Sequence, residues 1–367
     1  MIFIDLGRFL ALVFMLYGHP VSALLATEYQ HGTWFDIWQF QRGLTSSMFL
    51  LLSGFAFSVA TSRHWGSHQQ LSPAFFKRVR RFGLFILLGY ALHFPVPRFS
   101  LLATATSAQW RSFFAVDVLQ LIGVTFLIVQ TLVFVTRSRR VFTVAAFLLG
   151  TAILGATHTL WMVDWSGVLP PWLAAYVSPA GGSQFPLFPW ASYVLFGAAL
   201  GQIYVGWGAA RLSSYAAFVL FLPGVLLVAG GWIAVSLEGY PWSADPWNFM
   251  PLQVTIRTGS CLVLLSAIAY ASQRMARLPH FFAAVAQETL LLYFVHLCIV
   301  YGSIWNSGLA QTFAVSLGPG ETVLCVVILL ASMAALGWYW HWLKQARPRV
   351  AKWTMVGAAG LLVARLL

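Results

Sequence analysis

The chain has 367 residues, of which 60% are hydrophobic, 16% are aromatic and only 8% are charged. Soluble domains carry about a quarter charged residues, so this composition argues against a water-soluble enzyme. The same abundance of apolar and aromatic residues excludes a disordered chain. Long unbroken apolar runs exclude a transmembrane barrel, whose strands alternate polar and apolar residues. The composition therefore predicts an all-α, polytopic integral membrane protein.

The formal charge of +12 comes from 21 Lys and Arg residues against nine acids. Nucleic-acid binding would need a basic soluble face, and no polar segment is long enough to form one. The cysteines Cys261, Cys298 and Cys325 all lie in apolar runs without a C-x-x-C spacing. We therefore expect no nucleic-acid partner, and no disulfide or metal site at the cysteines.

Apolar segments of membrane-spanning character recur along the whole chain and predict about eleven transmembrane helices. The first contains Asp5 and Arg8 and lacks a basic region at its start, so we interpret it as a span and not as a cleavable signal. The eleven segments are 3–25, 42–61, 82–96, 113–135, 141–157, 186–205, 215–237, 254–272, 284–305, 321–342 and 351–367. With no soluble segment between them, they predict a single transmembrane domain over residues 1–367.

The connecting loops alternate in charge. If there are eleven spans, fifteen basic residues fall on one side of the membrane: Arg63, Lys77, Arg78, Arg80, Arg81, Arg137, Arg139, Arg140, Arg211, Arg274, Arg277, Lys344, Arg347, Arg349 and Lys352. The opposite loops carry the acids Glu28, Asp36, Asp164, Glu238 and Asp245. Because basic loops stay on the cytoplasmic side, this alternation predicts a cytoplasmic N-terminus.

The first span holds the densest set of ionisable residues, namely Asp5, Arg8 and His19. Arg8 and His19 are three helical turns apart, so they face the same direction about 16 Å apart along the axis. Ionisable groups inside a span are costly and point to function, although Asp5 and Arg8 could also form a simple ion pair at the helix end. His31 follows in the first outer loop, where a lone histidine is more often solvated than catalytic.

Other polar residues interrupt later spans. They are Asp117 and Gln120 in the fourth span, Arg257 in the eighth, and Gln287, Glu288, Tyr293 and His296 in the ninth. Asp117, Arg257 and Glu288 could hold helices together as mutual partners or could serve a function, and the sequence favours neither. His64 and His68 are spaced like a metal-binding pair, but they lie in a polar loop and we expect them to be solvated.

Several segments resemble membrane acyltransferases. The opening span, D-L-G-R-F-L-A-L-V-F-M-L-Y-G-H at 5–19, resembles acyltransferase family 3 in its Arg-to-His spacing. The remaining motifs resemble the heparan-α-glucosaminide N-acetyltransferase-like proteins more closely. They are H-G-T-W at 31–34, S-S-M-F-L-L-L-S-G-F-A-F at 46–57, D-V-L-Q-L-I-G at 117–123, F-P-L-F-P-W-A-S-Y-V-L-F-G at 185–197 and L-L-L-Y-F-V-H at 290–296.

The resemblance implies specific roles and also shows departures. The family's catalytic loop histidine corresponds to His31. The lysosomal members carry Asn at the position of His19, whereas this chain has the histidine of acyltransferase family 3. Phe9 stands where both families usually have Gly. The lysosomal enzymes also have a large luminal portion that this sequence lacks, so a glycosaminoglycan acceptor is not implied.

Acyl transfer from a thioester needs a base that deprotonates the acceptor, and histidine suits this task. We predict His31 as the general base, with His19 as a helper or an alternative base. The resemblance implies cytosolic acetyl-CoA as the donor. We expect no metal site, because the nine histidines form no i, i+4 pair within a span. The predicted CoA-binding residues are Arg8, Asp5, Lys77, Arg78, Arg80 and Arg81, since guanidinium groups match phosphate oxygens. The basic residues of the loop could equally be topology determinants only.

The sequence therefore predicts an acetyltransferase that modifies an extracytoplasmic sugar or glycan from within the lipid bilayer, and the expected location is the bacterial inner membrane. N- and O-acylation remain open, and the resemblance also allows a homodimer. The alternative is a secondary transporter of a sugar or sugar conjugate that uses Asp117, Glu288 and His296 as a proton relay. The absence of an internal sequence repeat counts against it. A third reading is an inactive membrane partner that kept the fold.

Overall fold

The computed structural model describes residues 2–239 and 251–367. The structure is 82% helical, and no β-strand occurs in the part of the chain that it describes. The predicted all-α class is therefore confirmed. Asp245, which the sequence places on the outer side, lies outside the described residues.

The described residues form α-helices that are joined by loops and short 3₁₀ turns. In the first half they are α1 (Ile2–Leu24), α2 (Thr33–Ser62), α3 (Trp65–His68), α4 (Pro73–Leu92), α5 (Ser107–Phe114), α6 (Val118–Thr136), α7 (Arg139–Trp161) and α8 (Pro171–Val177). The second half has α9 (Leu187–Trp207), α10 (Leu212–Tyr215), α11 (Leu222–Glu238), α12 (Pro251–Gln273), α13 (His280–Gln287), α14 (Thr289–Val300), α15 (Leu309–Phe313), α16 (Pro319–Ala346) and α17 (Pro348–Ala364). A π-helical stretch, Ala216–Phe221, joins α10 to α11.

Each of the eleven predicted apolar segments overlaps one or more of these helices. Within the described residues, seven helical segments are long and apolar enough to cross a membrane, and the bent pair α13–α14 would be an eighth. The seven are α1, α2, α6, α7, Ala209–Glu238, α12 and α16. A polytopic membrane protein is thus confirmed, whereas the count of eleven and the cytoplasmic N-terminus stay predictions.

Contacts divide the described chain into two compact units. The first unit comprises residues 2–45, 92–110 and 275–367, and the second comprises residues 46–91, 111–239 and 251–274. In the first unit, α1 packs against α13, α14, α15 and α16. In the second unit, α9 packs against α6 and α7, and α12 packs against α11. The single domain predicted over residues 1–367 stays a prediction.

Asp117 begins helix α6, although the sequence pattern placed it within a span. Its carboxylate accepts a hydrogen bond from the backbone N–H of Val118 (2.6 Å), and the Gln120 side chain accepts one from the backbone N–H of Asp117 (3.2 Å). This reciprocal arrangement is a capping box, which satisfies amide groups that the first turn of a helix leaves without partners. The position of Asp117 is therefore explained by helix capping.

Glycines allow α2 and α9 to approach closely in the second unit. A Cβ atom on Gly54 would overlap the backbone carbonyl of Val194, and one on Gly197 would overlap that of Leu51. A Cβ on Gly201 would lie 2.5 Å from the carbonyl oxygen of Phe55. Gly197 and Gly201 form the G-x-x-x-G spacing that permits close backbone contact between membrane helices. This pair of helices is therefore packed backbone to backbone.

His68 is buried, which contradicts the prediction that both loop histidines are solvated. Its side chain is only 5% exposed, whereas His64 is exposed. The short helix α3 packs on α6, where the Gln130 side chain donates a hydrogen bond to the His68 carbonyl (3.0 Å). The polar composition of the loop gave no sign of this contact, because it depends on a helix 62 residues further along the chain.

We expect His68 to make the stability of the protein depend on pH. Burial, together with the charges of Arg78 and His64, lowers the pKa of His68 to about 4. An unfolded histidine titrates near about 6.5, so between these two values only the unfolded state binds the proton. The free energy of unfolding should therefore fall as the pH falls from about 6.5 to about 4. Melting temperatures (Tm) at pH about 7.5 and about 5 would measure this loss, which His68→Gln should reduce; equal losses in both proteins would contradict it.

The segment predicted as one span at 284–305 is broken. Helices α13 and α14 meet at an angle of 70° on either side of Glu288. The Glu288 side chain is 5% exposed and pairs with Lys344 of α16, whose Nζ lies 2.6 Å from Oε1 and 2.7 Å from Oε2. His341, also in α16, places Nδ1 3.2 Å from Oε1. The carboxylate at the break is thus held by two side chains of one neighbouring helix.

We expect Lys344→Ala to destabilise this break. The substitution removes the cation that faces a buried carboxylate, and Lys344 itself is 43% exposed, so solvent screening reduces the loss to about 1 kcal/mol. That loss corresponds to a decrease in Tm of roughly 2–4 °C. Lys352→Ala, which removes an exposed lysine of α17, is the matched control and should leave the Tm unchanged. Equal melting temperatures for both variants would show that the ion pair contributes nothing measurable.

Candidate active site

The loop that carries His31 joins α1 to α2 and is fixed by the C-terminal part of the first unit. The backbone N–H of Ala26 donates to the carbonyl of Leu317 (2.9 Å), and the N–H of Leu317 donates to the carbonyl of Leu24 (2.9 Å). The Gln30 side chain also donates to the Leu25 carbonyl (2.7 Å). These bonds fix residues 24–30, which form the stem of the His31 loop.

Gly32 directs the chain from this loop into α2. Its φ of +89° is in the left-handed region, where a residue with a side chain is strained. Its carbonyl accepts hydrogen bonds from the N–H groups of Phe35 (3.0 Å) and Asp36 (3.1 Å), which begin the helix. His31 is exposed just before this turn, and the Trp34 ring just after it is 85% exposed. The structure thus presents His31 outward on a constrained stem.

Nearby in the same loop, Glu28 and Tyr29 form a local pair. The Glu28 carboxylate accepts a hydrogen bond from the Tyr29 phenol and raises the pKa of that phenol through this bond and through its charge. The loop that carries His31 thus also has an exposed phenol and an exposed carboxylate, which can form hydrogen bonds with the hydroxyl groups of a sugar.

His19 lies near the end of α1 and contacts two residues of the α14 region. Its Nδ1 lies 2.9 Å from the Tyr301 hydroxyl oxygen. Its ring centroid lies 5.2 Å from that of His296 and 5.4 Å from that of Tyr301. The structure therefore brings the predicted helper histidine together with a second histidine and a tyrosine, all within the first unit.

His296 is fully buried within the apolar part of α14. Its Nδ1 lies 2.9 Å from the carbonyl oxygen of Leu292, one helical turn earlier. Because a carbonyl oxygen only accepts, Nδ1 carries a proton, and neutral His296 then has its acceptor at Nε2. This bond fixes the orientation of the His296 ring against His19.

A second group of polar side chains comes from the first turns of α2. The Tyr17 hydroxyl donates to the Gln41 side chain, whose Nε2 lies 3.3 Å from the Thr45 hydroxyl oxygen. Arg42 lies over the Trp38 ring, 5.8 Å from its centroid, and interacts electrostatically with His19. The first unit thus contains histidine, tyrosine, glutamine and arginine side chains within hydrophobic helices, which is where polar groups point to function.

The predicted donor-binding residues are divided between the two units. Arg8 and Asp5 are half-buried in α1 of the first unit. Lys77, Arg80 and Arg81 are exposed on α4 in the second unit, and their side chains are available to a ligand. Arg78 differs from these three, because its Nη1 donates to Thr61 (2.7 Å) and Gln130 (3.4 Å), and its guanidinium covers the Phe57 ring. These contacts hold Arg78 between α2, α4 and α6, and its predicted contact with CoA stays a prediction.

The predicted site residues do not include Tyr17, Gln41 and Tyr301. A tyrosine or glutamine in an apolar run is a weak signal by itself, because such residues often serve as interfacial anchors. His296 was recognised as a costly polar residue, but its contact with His19 was not predicted. The two residues that contact His19 lie more than 270 positions away from it, and no local pattern links them.

Among the described residues, no group of three or more His, Cys, Asp or Glu side chains is arranged to hold a metal ion.

The family model of the catalytic region of heparan-α-glucosaminide N-acetyltransferase matches residues 1–233. A search of curated proteins found no match. The family match covers α1, the His31 loop and the basic part of α4, and ends within α11, before His296 and Tyr301.

Proposed function

Because the chain belongs to the heparan-α-glucosaminide N-acetyltransferase catalytic family and is a membrane acetyltransferase, we propose that it moves an acetyl group from cytosolic acetyl-CoA to an extracytoplasmic sugar or glycan. The main support for this proposal is the family match over residues 1–233, which is most of the chain. The exposed His31 on its constrained stem supports it, because transfer to a large acceptor requires a base that the acceptor can reach.

In the proposed reaction, His31 is the general base. Its imidazole takes the proton from the acceptor hydroxyl or amine as the acceptor oxygen or nitrogen forms a bond with the acetyl carbonyl carbon. The bond between that carbon and the sulfur of CoA then breaks, and the CoA thiolate leaves. The proton held by His31 passes to the thiolate, so the histidine returns to its neutral form. The same sequence serves N- and O-acetylation.

His19 assists this step from α1. It lies within a hydrophobic helix and is held by Tyr301 and His296, whereas His31 is exposed in a loop. An exposed base can meet the acceptor from outside, and a half-buried histidine can meet the acetyl end of a donor that enters from the cytosol. The two histidines therefore suit the two substrates.

The exposed basic residues of α4 are proposed to contact the CoA phosphates, and Arg8 with Asp5 of α1 is a separate proposal for the same role. Lys77, Arg80 and Arg81 expose their cationic groups to solvent, which a phosphate ligand requires. Arg8, oriented by Asp5, is proposed to act in the same way from the first unit. Arg78 contributes by keeping α4 in place, since its guanidinium already binds Thr61 and Gln130.

The proposed location is the bacterial inner membrane, with a homodimer as the proposed assembly. The apolar helices and the basic loops are compatible with a multi-pass protein of that membrane. The transporter alternative is weaker, because two members of its proton relay have structural explanations. Asp117 caps α6, and Glu288 is paired with Lys344 and His341.

The direct test is release of free CoA from acetyl-CoA by the purified protein in detergent, with and without a panel of amino sugars, neutral sugars and oligosaccharides. Acetyl-CoA binding is titrated in the same preparation. Acceptor-dependent CoA release with a mass increase of one acetyl group on the acceptor would support the proposal. Absence of both binding and release would contradict it, and transport of labelled sugars into proteoliposomes would then be measured.

A further inference from the structure

The end of α14 supplies the side chains that surround His19. The Tyr301 hydroxyl oxygen lies 2.9 Å from Nδ1 of His19, and the two rings meet edge to face with an interplanar angle of 87°. His296 contacts the same imidazole with its centroid at 5.2 Å. Both residues lie beyond the region that the family model matches, so the match assigns them no role.

Which atom donates in the contact between His19 and Tyr301 determines the chemistry of His19. If Nδ1 donates to the phenol oxygen, Nε2 has a free lone pair and can act as a base. If the phenol donates to Nδ1, the proton of neutral His19 is on Nε2, which can then donate a hydrogen bond to a ligand. A phenol hydroxyl is a stronger hydrogen-bond donor than the N–H of a neutral imidazole, so the second arrangement is favoured.

The surroundings of His19 favour the same arrangement. A general base becomes cationic when it takes a proton, whereas a hydrogen-bond donor remains neutral. Arg42 interacts electrostatically with His19, and its guanidinium is always charged. Like charges repel, so this environment is better suited to a neutral donor than to an imidazolium. Buried His296 adds a second imidazole against His19 and no negative charge.

We propose that Tyr301 is a positioning residue that donates to Nδ1 of His19 and thereby fixes the tautomer whose Nε2 carries the proton. His19 then stabilises the oxyanion that forms on the acetyl carbonyl oxygen, while His31 takes the proton of the acceptor. His296 supports the orientation of the His19 ring through its own bond to the Leu292 carbonyl. The catalytic part of this inference, stabilisation of the oxyanion by His19, rests on the proposed acetyltransferase function. The tautomer of His19 does not, because it is present without turnover.

The tautomer is measured first, on the full-length protein in detergent micelles labelled with ¹⁵N-histidine. Couplings between the ring nitrogens and the ring protons distinguish a proton on Nε2 from one on Nδ1, and His19→Gln identifies the His19 signals. We expect the proton on Nε2 in the wild type, and a mixture of the two tautomers in Tyr301→Phe. A proton on Nδ1 of His19 in the wild type would overturn the proposal, whether or not the variants fold.

Activity provides the second measurement. Tyr301→Phe keeps the ring and removes only the hydroxyl group, so kcat for CoA release should fall about tenfold with KM unchanged. In a His19→Ala background, the same substitution should have no further effect. Tyr270→Phe is the matched control: its hydroxyl donates to the Ser213 carbonyl (3.3 Å) in the second unit, and its removal should leave kcat unchanged. Additive losses in the double variant would overturn the proposed role of Tyr301.

The two proposals fail in distinguishable ways. If the wild type shows the Nε2 proton but neither binds nor turns over acetyl-CoA, the proposed function is wrong and the tautomer assignment stands. If the wild type transfers acetyl groups but its His19 carries the proton on Nδ1, the function stands and the role of Tyr301 is wrong.

Discussion

His31→Ala is expected to reduce acetyl transfer by about 10²-fold to 10⁴-fold, which is the usual contribution of a general base. Alanine removes the imidazole that takes the proton of the acceptor. The loop between α1 and α2 contains no second histidine that could replace it. The side chain is exposed, so its removal should change neither the Tm nor acetyl-CoA binding. CoA release, acceptor acetylation and donor titration on one preparation separate these effects.

Two further variants make the His31 measurement specific. His64→Ala removes another exposed loop histidine, in the second unit, and should retain full activity. His19→Ala should cost activity through loss of the assisting group, to a smaller degree than His31→Ala. If His31→Ala retained activity within about twofold while His19→Ala lost all of it, the base would be in the first span and the assignment of His31 would be wrong.

Gly197→Ala is expected to prevent normal folding. The added Cβ would overlap the Leu51 carbonyl, which is part of the backbone of α2 and cannot rotate away as a side chain can. The helices would have to separate along the contact that also includes Gly54 and Gly201, and many packed atoms would lose contact. We expect a loss of more than about 3 kcal/mol, at the upper end of what overpacking a core costs.

The measurement is the yield of monodisperse protein in detergent and its Tm. Gly155→Ala in α7 is the matched control, because Gly155 is exposed and no atom lies within 4 Å of its added Cβ. That substitution should be neutral or slightly stabilising, by up to about 1 kcal/mol, since alanine favours the helix. A Gly197→Ala protein that behaved like Gly155→Ala would contradict the close approach of α2 and α9.

The sequence predicts the helices well because a membrane imposes a simple rule, that long apolar runs form helices. It also identifies His19, His31, Glu288 and His296 as residues of interest, since charged and ionisable groups are rare in such runs. The partners of these residues depend on tertiary structure and could not be predicted. His19 and Tyr301 are 282 residues apart, and Glu288 and Lys344 are 56 apart.

Local exceptions to the apolar pattern were also missed. The break between α13 and α14 falls inside a continuous apolar segment, and the carboxylate at the break pairs with α16. His68 is buried although its loop is polar, because α3 packs on α6. In both cases the decisive contact comes from a helix later in the chain, which hydropathy and residue spacing do not represent.

The first unit has a consequence for biosynthesis. Its residues 2–45 are synthesised before residues 275–367, which contain their partners. While the ribosome completes the intervening segments, His19 lacks Tyr301 and the stem of the His31 loop lacks Leu317. His19 and the stem of the His31 loop therefore acquire the contacts described above only after residues 275–367 have been synthesised.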